Sequence, residues 1–229
     1  MKKILLSTAA LAVLAVSAPA VAQEESGVKL GLGGHFKGYG AWVDQDQVAG
    51  HSVRSLDMLR DTEVHFTGET TLDNGLTVGA HIEATADEGD GFAIDESYAY
   101  FSGGWGRVNV GAEDGAAFLM QVAAPSADSN YDGIRQYINP FNGNTFNSAI
   151  ANGQADYEQA ISGKDDKVTY LSPVFSGFQG GVSYTPQVGA SSRALNGLSE
   201  NDNSGEYGDA WDFAVRYEGQ LNNVDVASG

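Results

Sequence analysis

The chain is 229 residues long and carries 30 acidic against 12 basic residues, a formal net charge of -18. That balance excludes a nucleic-acid partner, because phosphate binding needs clustered Lys and Arg. The absence of Cys excludes a disulfide scaffold, a Cys-ligated zinc site and a thiol nucleophile, and no apolar run of 18 residues offers a helical membrane span.

Residues 1–22 read as a bacterial-type secretory signal peptide. Lys2 and Lys3 form the positive start, Ile4 to Val16 the apolar stretch, and Ala20-Val21-Ala22 the small-residue cleavage site before Gln23. Its removal would leave 10 basic and 30 acidic residues, a charge of -20.

From there the dominant signal is period two, which marks strands with two different faces. In the first segment Val28, Leu30, Leu32 and Phe36 share a face, with Lys29, His35 and Lys37 opposite and Trp42 ending the apolar row. In the second, Val64, Phe66 and Leu72 oppose Asp61, Glu63, His65, Thr67 and Glu69. Asp73-Asn74-Gly75 is a hairpin signal of type I′ character. The third segment is the cleanest: Leu76, Val78, Ala80, Ile82 and Ala84 face one way and Thr77, Gly79, His81, Glu83 and Thr85 the other. Further on, Val108 and Val110 oppose Arg107 and Asn109, and Phe178, Val182 and Tyr184 oppose Gln179, Ser183 and Thr185. Trp211, Phe213, Val215 and Tyr217 oppose Asp212, Arg216 and Glu218.

These rows predict eight strands at roughly 28–43, 58–72, 76–86, 94–102, 105–111, 166–173, 178–185 and 210–218, with a ninth beginning at Val224. Short connections at 73–75, 102–106, 173–177 and 219–223 alternate with long polar ones at 44–57, 87–93, 112–165 and 186–209. That alternation is the pattern of an all-β, up-and-down antiparallel barrel whose two rims differ. The mature chain, 23–229, reads as a single barrel domain.

The polar faces carry full charges. A dry core holds unpaired ions only at a cost of several kcal/mol each, whereas a water-filled lumen holds them freely. Aromatic residues sit near strand ends: Trp42, Tyr98, Tyr100, Phe101, Trp105, Phe175, Phe178, Tyr184, Trp211 and Tyr217. Rings in such places suit the two membrane interfaces. Several strands reach the roughly 9–11 residues that a tilted strand needs to cross the hydrocarbon, while the fifth to seventh are short. A sheet in lipid must close, since an unpaired backbone group there finds no water. Arg60 breaks the pattern by falling on an apolar face.

Three segments resemble the general porins of the Gram-negative outer membrane. One runs from Glu63 through Gly68-Glu69-Thr70-Thr71-Leu72-Asp73-Asn74-Gly75 to Gly79. The next runs from Asp95-Glu96-Ser97-Tyr98 through Trp105-Gly106-Arg107 to Glu113-Asp114-Gly115-Ala116-Ala117, and the last is Val168-Thr169-Tyr170-Leu171-Ser172-Pro173 followed by Phe175-Ser176-Gly177-Phe178. The resemblance implies a sixteen-stranded transmembrane barrel in the outer membrane, a homotrimer, that passes small hydrophilic solutes and ions by diffusion. It also implies that the 112–165 connection folds inward and narrows the pore. About half of sixteen strands are present here, so the chain reads as an N-terminal fragment.

Within that frame the candidate pore-lining residues are Lys29, Lys37, Arg107 and Arg216 on the wall, and Glu113 and Asp114 on the inward loop, with Asp128, Asp132, Asp156 and Glu158 as further loop acids. Opposed charges across a narrow aqueous channel select by size and sign. Ala116 to Met120 reads as a short helix that packs the loop on the wall. The four His residues (His35, His51, His65 and His81) are scattered along the chain; His65 and His81 could approach each other across the Asn74-Gly75 hairpin, but the register is too loose to make them a metal pair, so no transition-metal site is assigned. Calcium at loop carboxylates is the one ion the composition suggests. No phosphate-binding glycine loop, nucleophile elbow or His-Glu-x-x-His helix occurs, so no catalytic residue or cofactor is assigned. Two other readings remain open at this point: an outer-membrane barrel enzyme and an exported soluble β-sandwich.

Overall fold

The computed structural model describes residues 27–44, 52, 54–86, 92–122, 159–189 and 208–229. The leader at 1–22, His51, and the loop residues Asp128, Asp132, Asp156 and Glu158 lie outside the described residues.

Among the described residues nine strands form one sheet, each paired antiparallel with the next in chain order. They are β1 (Lys29–Trp42), β2 (Leu56–Thr71), β3 (Thr77–Thr85), β4 (Ala93–Gly103), β5 (Gly106–Ala112), β6 (Asp166–Leu171), β7 (Phe178–Thr185), β8 (Ala210–Leu221) and β9 (Val224–Ser228). A single helical turn, α1 (Ala116–Leu119), follows β5. The expected strands are therefore present, and β9 is a full hairpin partner of β8. One continuous sheet, rather than two packed ones, removes the β-sandwich reading.

The turns differ in detail from the sequence expectation. Asp73-Asn74-Gly75 is a three-residue loop: only Gly75 has positive φ (80°), and Leu72 and Leu76 close it. Asn74 Oδ1 accepts the Leu76 amide at 3.0 Å, which holds Asn74 out of the left-handed region that a type I′ turn would require. The β8–β9 turn is tighter than the expected 219–223. The strand runs on to Leu221, and Asn222 and Asn223 alone turn the chain at φ 48° and 65°. Two consecutive Asn tolerate that geometry, so no glycine is needed there.

Burial is inverted relative to a water-soluble domain. On β8, Phe213 is 72% exposed while its neighbour Asp212 is 7% exposed. Leu30, Leu32, Phe36, Ile82, Val110, Val168, Phe178 and Val215 are likewise exposed, while Asn109, Lys167, Thr169 and Ser183 are buried. Lys167 and Thr169 on β6 and Ser183 on β7 belong to strands against which α1 packs, together with β8. Gly181 makes room for α1: a Cβ there would meet Met120 Sδ at 2.5 Å and Ala116 Cβ at 3.1 Å.

Candidate functional site: the charged face of the sheet

Cross-strand register assembles the polar face row by row. His65 stands opposite Glu83, which stands opposite Glu96; Glu69 stands opposite Gly79, then Tyr100, then Asn109. Gly79 matters because a Cβ there would collide with the Tyr100 ring. Without one, Tyr100 lies across β3 and donates its hydroxyl proton to Glu69 Oε2 on β2 at 2.6 Å. The Arg107 guanidinium sits over that ring, 3.9 Å from its centroid, a favourable cation–π placement. Arg107 Nε donates to Asn109 Oδ1 at 2.6 Å, and Asn109 Nδ2 donates to Glu113 Oε2 at 2.7 Å. A continuous chain of polar contacts thus runs from β2 to the first residue after β5.

A second group pins the far end of the long connection. Lys167 Nζ donates to the carbonyl oxygens of Gly163 (2.8 Å), Asp165 (2.6 Å) and Glu113. Both ends of the 113–165 connection therefore meet at one ammonium group. Ser183 Oγ accepts the Ala116 amide at 2.7 Å and bonds to Thr169 Oγ1 at 2.9 Å, satisfying one of the amides that a helix start leaves without an intrahelical partner. Lys164 bonds to Asp95 and lies 3.8 Å from Glu96 and 4.0 Å from Glu83. Asp95 reaches it because the β3–β4 register shifts at Glu83/Ala84, leaving Asp95 as an extra residue in β4. Burial opposes the charge on Lys164, but the hydrogen bond to Asp95 and the fields of Asp95, Glu96 and Asp114 outweigh it and raise its pKa.

The six sequence candidates occupy different settings. Arg107 and Glu113 join one network through Asn109. Glu113 is only 2% exposed and Asp114 is also buried, both at the base of the loop beneath its docking contacts. Burial raises both carboxyl pKa values. The Asn109 hydrogen bond and the Lys167 and Arg107 charges work against that rise at Glu113, and Lys164 and Lys167 work against it at Asp114. Lys37 Nζ is 3.6 Å from Asp61. Lys29 is exposed opposite Glu69 near the short turns, and Arg216 pairs with Glu218 on the same side of the sheet.

Four features of this face escaped the sequence reading. Lys164 lies at the end of a connection with no periodicity, whereas Lys167 is the second residue of β6, and its alternation with Val168 carried the signal that it faces the polar side. Tyr98 and Tyr100 sit near strand ends, where interface aromatics are expected, yet both face the charged side: Tyr98 stacks on His81, centroids 5.3 Å apart. Their alternation with Ala99 and Phe101 carried that signal. The remaining aromatics do form rows on the apolar side, with Phe178 against Tyr217 and Tyr184 against Trp211, each pair at 4.7 Å. Six strand steps of β7 separate the two rows, about 20 Å along the strand.

The family comparison agrees with this architecture. A family model described as Gram-negative porin matches residues 7–229. The chain belongs to the Gram-negative porin family, and its all-β, up-and-down antiparallel sheet is of the porin barrel type. Among solved structures it is similar to an anion-selective porin from Comamonas acidovorans, at 17% identity and a TM-score of 0.42. That match covers 87% of this chain, which spans 60% of the length of the other. No curated protein matches the chain.

Proposed function

We propose that this chain builds part of the wall of a water-filled channel in the outer membrane, through which small hydrophilic solutes and ions diffuse passively. One observation carries the reading: on one strand the apolar Phe213 is 72% exposed while its charged neighbour Asp212 is 7% exposed, and the apolar rows of the other strands are exposed in the same way. Such a sheet suits lipid on one side and water on the other. Family membership points to a channel rather than an enzyme. Arg107, with Glu113 behind it, is the element of wall charge that a passing solute would meet nearest the docked loop. Lys29, Lys37 and Arg216 add charge along the wall, and Asp114 stiffens the loop base. A homotrimer reached through a cleaved leader completes the proposal, as the family resemblance implies.

The test is reconstitution of the full-length protein in a planar bilayer. Ohmic conductance steps are expected; a folded protein that inserts and gives none overturns the reading. Spin labels at Val78 and His81 give an independent check on the faces. Lipid-soluble oxygen should reach the Val78 label more readily, and equal access or a preference for the His81 position would contradict the assignment.

A further inference from the structure

The three described histidines, scattered in the sequence, become neighbours in the sheet. His65 on β2 and His81 on β3 have ring centroids 5.5 Å apart, and His35 on β1 lies 6.5 Å from His65. Strand geometry is the cause. His65 pairs with Glu83, while His81 sits two residues from Glu83 on the same face. A residue and its diagonal partner across a strand pair lie within reach of long side chains.

We propose that His65, His81 and Glu83 bind one divalent transition-metal ion of the Zn²⁺, Cu²⁺ or Ni²⁺ class. The distances fit. Glu83 Oε2 lies 3.4 Å from His65 Nε2 and 3.5 Å from His81 Nε2. Tetrahedral zinc with bonds near 2.1 Å requires ligand–ligand separations of about 3.4 Å. The same distances are long for hydrogen bonds from a ring nitrogen. One candidate atom from each of the three groups falls within 4.8 Å of the others. Glu63 Oε2 is 3.2 Å from the same His65 nitrogen.

The surroundings supply an outer shell. His35 Nδ1 lies 3.5 Å from Glu63 Oε2, and its other nitrogen is 3.2 Å from Asp61. The His81 ring is stacked on Tyr98. Partners of this kind orient ligands and raise metal affinity. Charge favours a cation as well: Glu63, Glu83, Asp95 and Glu96 lie around the cluster, and one ammonium group, that of Lys164, is shared among Glu83, Asp95 and Glu96. An all-oxygen alternative, Glu63, Glu83 and Asp95, is less suited, because Lys164 already occupies its Asp95 side. Imidazole in the ligand set selects the later first-row metals over calcium. The ligand side chains are 14–30% exposed, so an ion can reach them from solvent.

Binding itself does not depend on the channel reading; its effect on conduction does. The experiment titrates the full-length folded protein in detergent with Zn²⁺ by calorimetry and with Cu²⁺ by electron paramagnetic resonance. Expected are one strong site per chain, nitrogen couplings from two imidazoles, and at least a roughly tenfold loss of affinity in His65→Asn and in His81→Asn. His51→Asn should bind as the parent does. Circular dichroism establishes that each variant keeps its β structure. Absence of the site in the folded parent, or unchanged affinity in both His variants, overturns the proposal. In the bilayer, Zn²⁺ should lower cation conductance of the parent and not of His81→Asn. Conductance without Zn²⁺ binding rejects the site and keeps the channel; binding without conductance rejects the channel and keeps the site.

Discussion

Lys167 holds the two ends of the 113–165 connection together through three backbone carbonyls. Hydrogen bonds from a charged donor are worth about 1.5–3 kcal/mol each, and acceptors stripped of a partner while buried add a further penalty. Lys167→Met is therefore expected to weaken loop docking by about 3 kcal/mol or more, measured as faster proteolytic nicking of the connection while the barrel stays folded. Glu113 makes a pH prediction. Its pKa is raised above the ordinary 4.5, first by burial. The folded protein thus holds a proton that the unfolded chain has released, and stability from this group is full below 4.5 and is lost as pH rises through the raised value. Glu113→Gln, which mimics the protonated form and still accepts from Asn109, should raise the thermal midpoint at pH 7. That gain should shrink as the pH falls toward 4.5. A gain independent of pH would contradict the assignment.

At the scale of elements, two glycines separate two physical costs. Gly75 has φ 80° and open space where a Cβ would stand, so Gly75→Ala should cost only the left-handed strain, about 1–2 kcal/mol, with no change at α1. Gly181 is the opposite case: the obstacle there is contact with Met120, Leu171 and Ala116. Gly181→Val should lift α1 from β7 and leave the strands paired. The expected readout is enhanced protease sensitivity near 116–122 and, in a bilayer, larger single-channel conductance. Retained protection would show that α1 tolerates the added bulk. Of the short strands β5, β6 and β7, of 7, 6 and 8 residues, the last two pack directly against this helix. Docked backbone and buried polar side chains there support a stretch of sheet that is otherwise thin.

For the whole molecule the governing quantity is charge. With 30 acidic and 12 basic residues, the potential at the charged face attracts cations, and salt weakens that attraction as the Debye length falls from about 30 Å at 0.01 M to about 3 Å at 1 M. The zero-current potential across a KCl gradient should show cation preference that grows on dilution. Anion preference at low salt would show that Arg107 and the wall lysines dominate the local field instead.

How much of this was legible beforehand follows from where the information is stored. Alternation along a strand is a one-dimensional property, because successive side chains must point to opposite faces. Leu76 to Thr85 alone therefore announced β3 and its two environments, and the glycine- and asparagine-rich connections announced an up-and-down sheet. Register is not one-dimensional. Which residue of β2 meets which residue of β3 depends on the turn between them, and Asp73, Asn74 and Gly75 form a loop with positive φ at Gly75 alone rather than the expected type I′ geometry. The pairing of His65 with Glu83, the reach of Tyr100 across Gly79 to Glu69, and the extra residue Asp95 all depend on that register. So does the meeting of Lys167 with Glu113, which are 54 residues apart in the chain. The sequence by itself determined that this protein has strands with one greasy and one charged side, because that is written at every second residue. Only the tertiary structure decided which charges touch, because contacts between strands are made by residues whose separation along the chain carries no periodic mark.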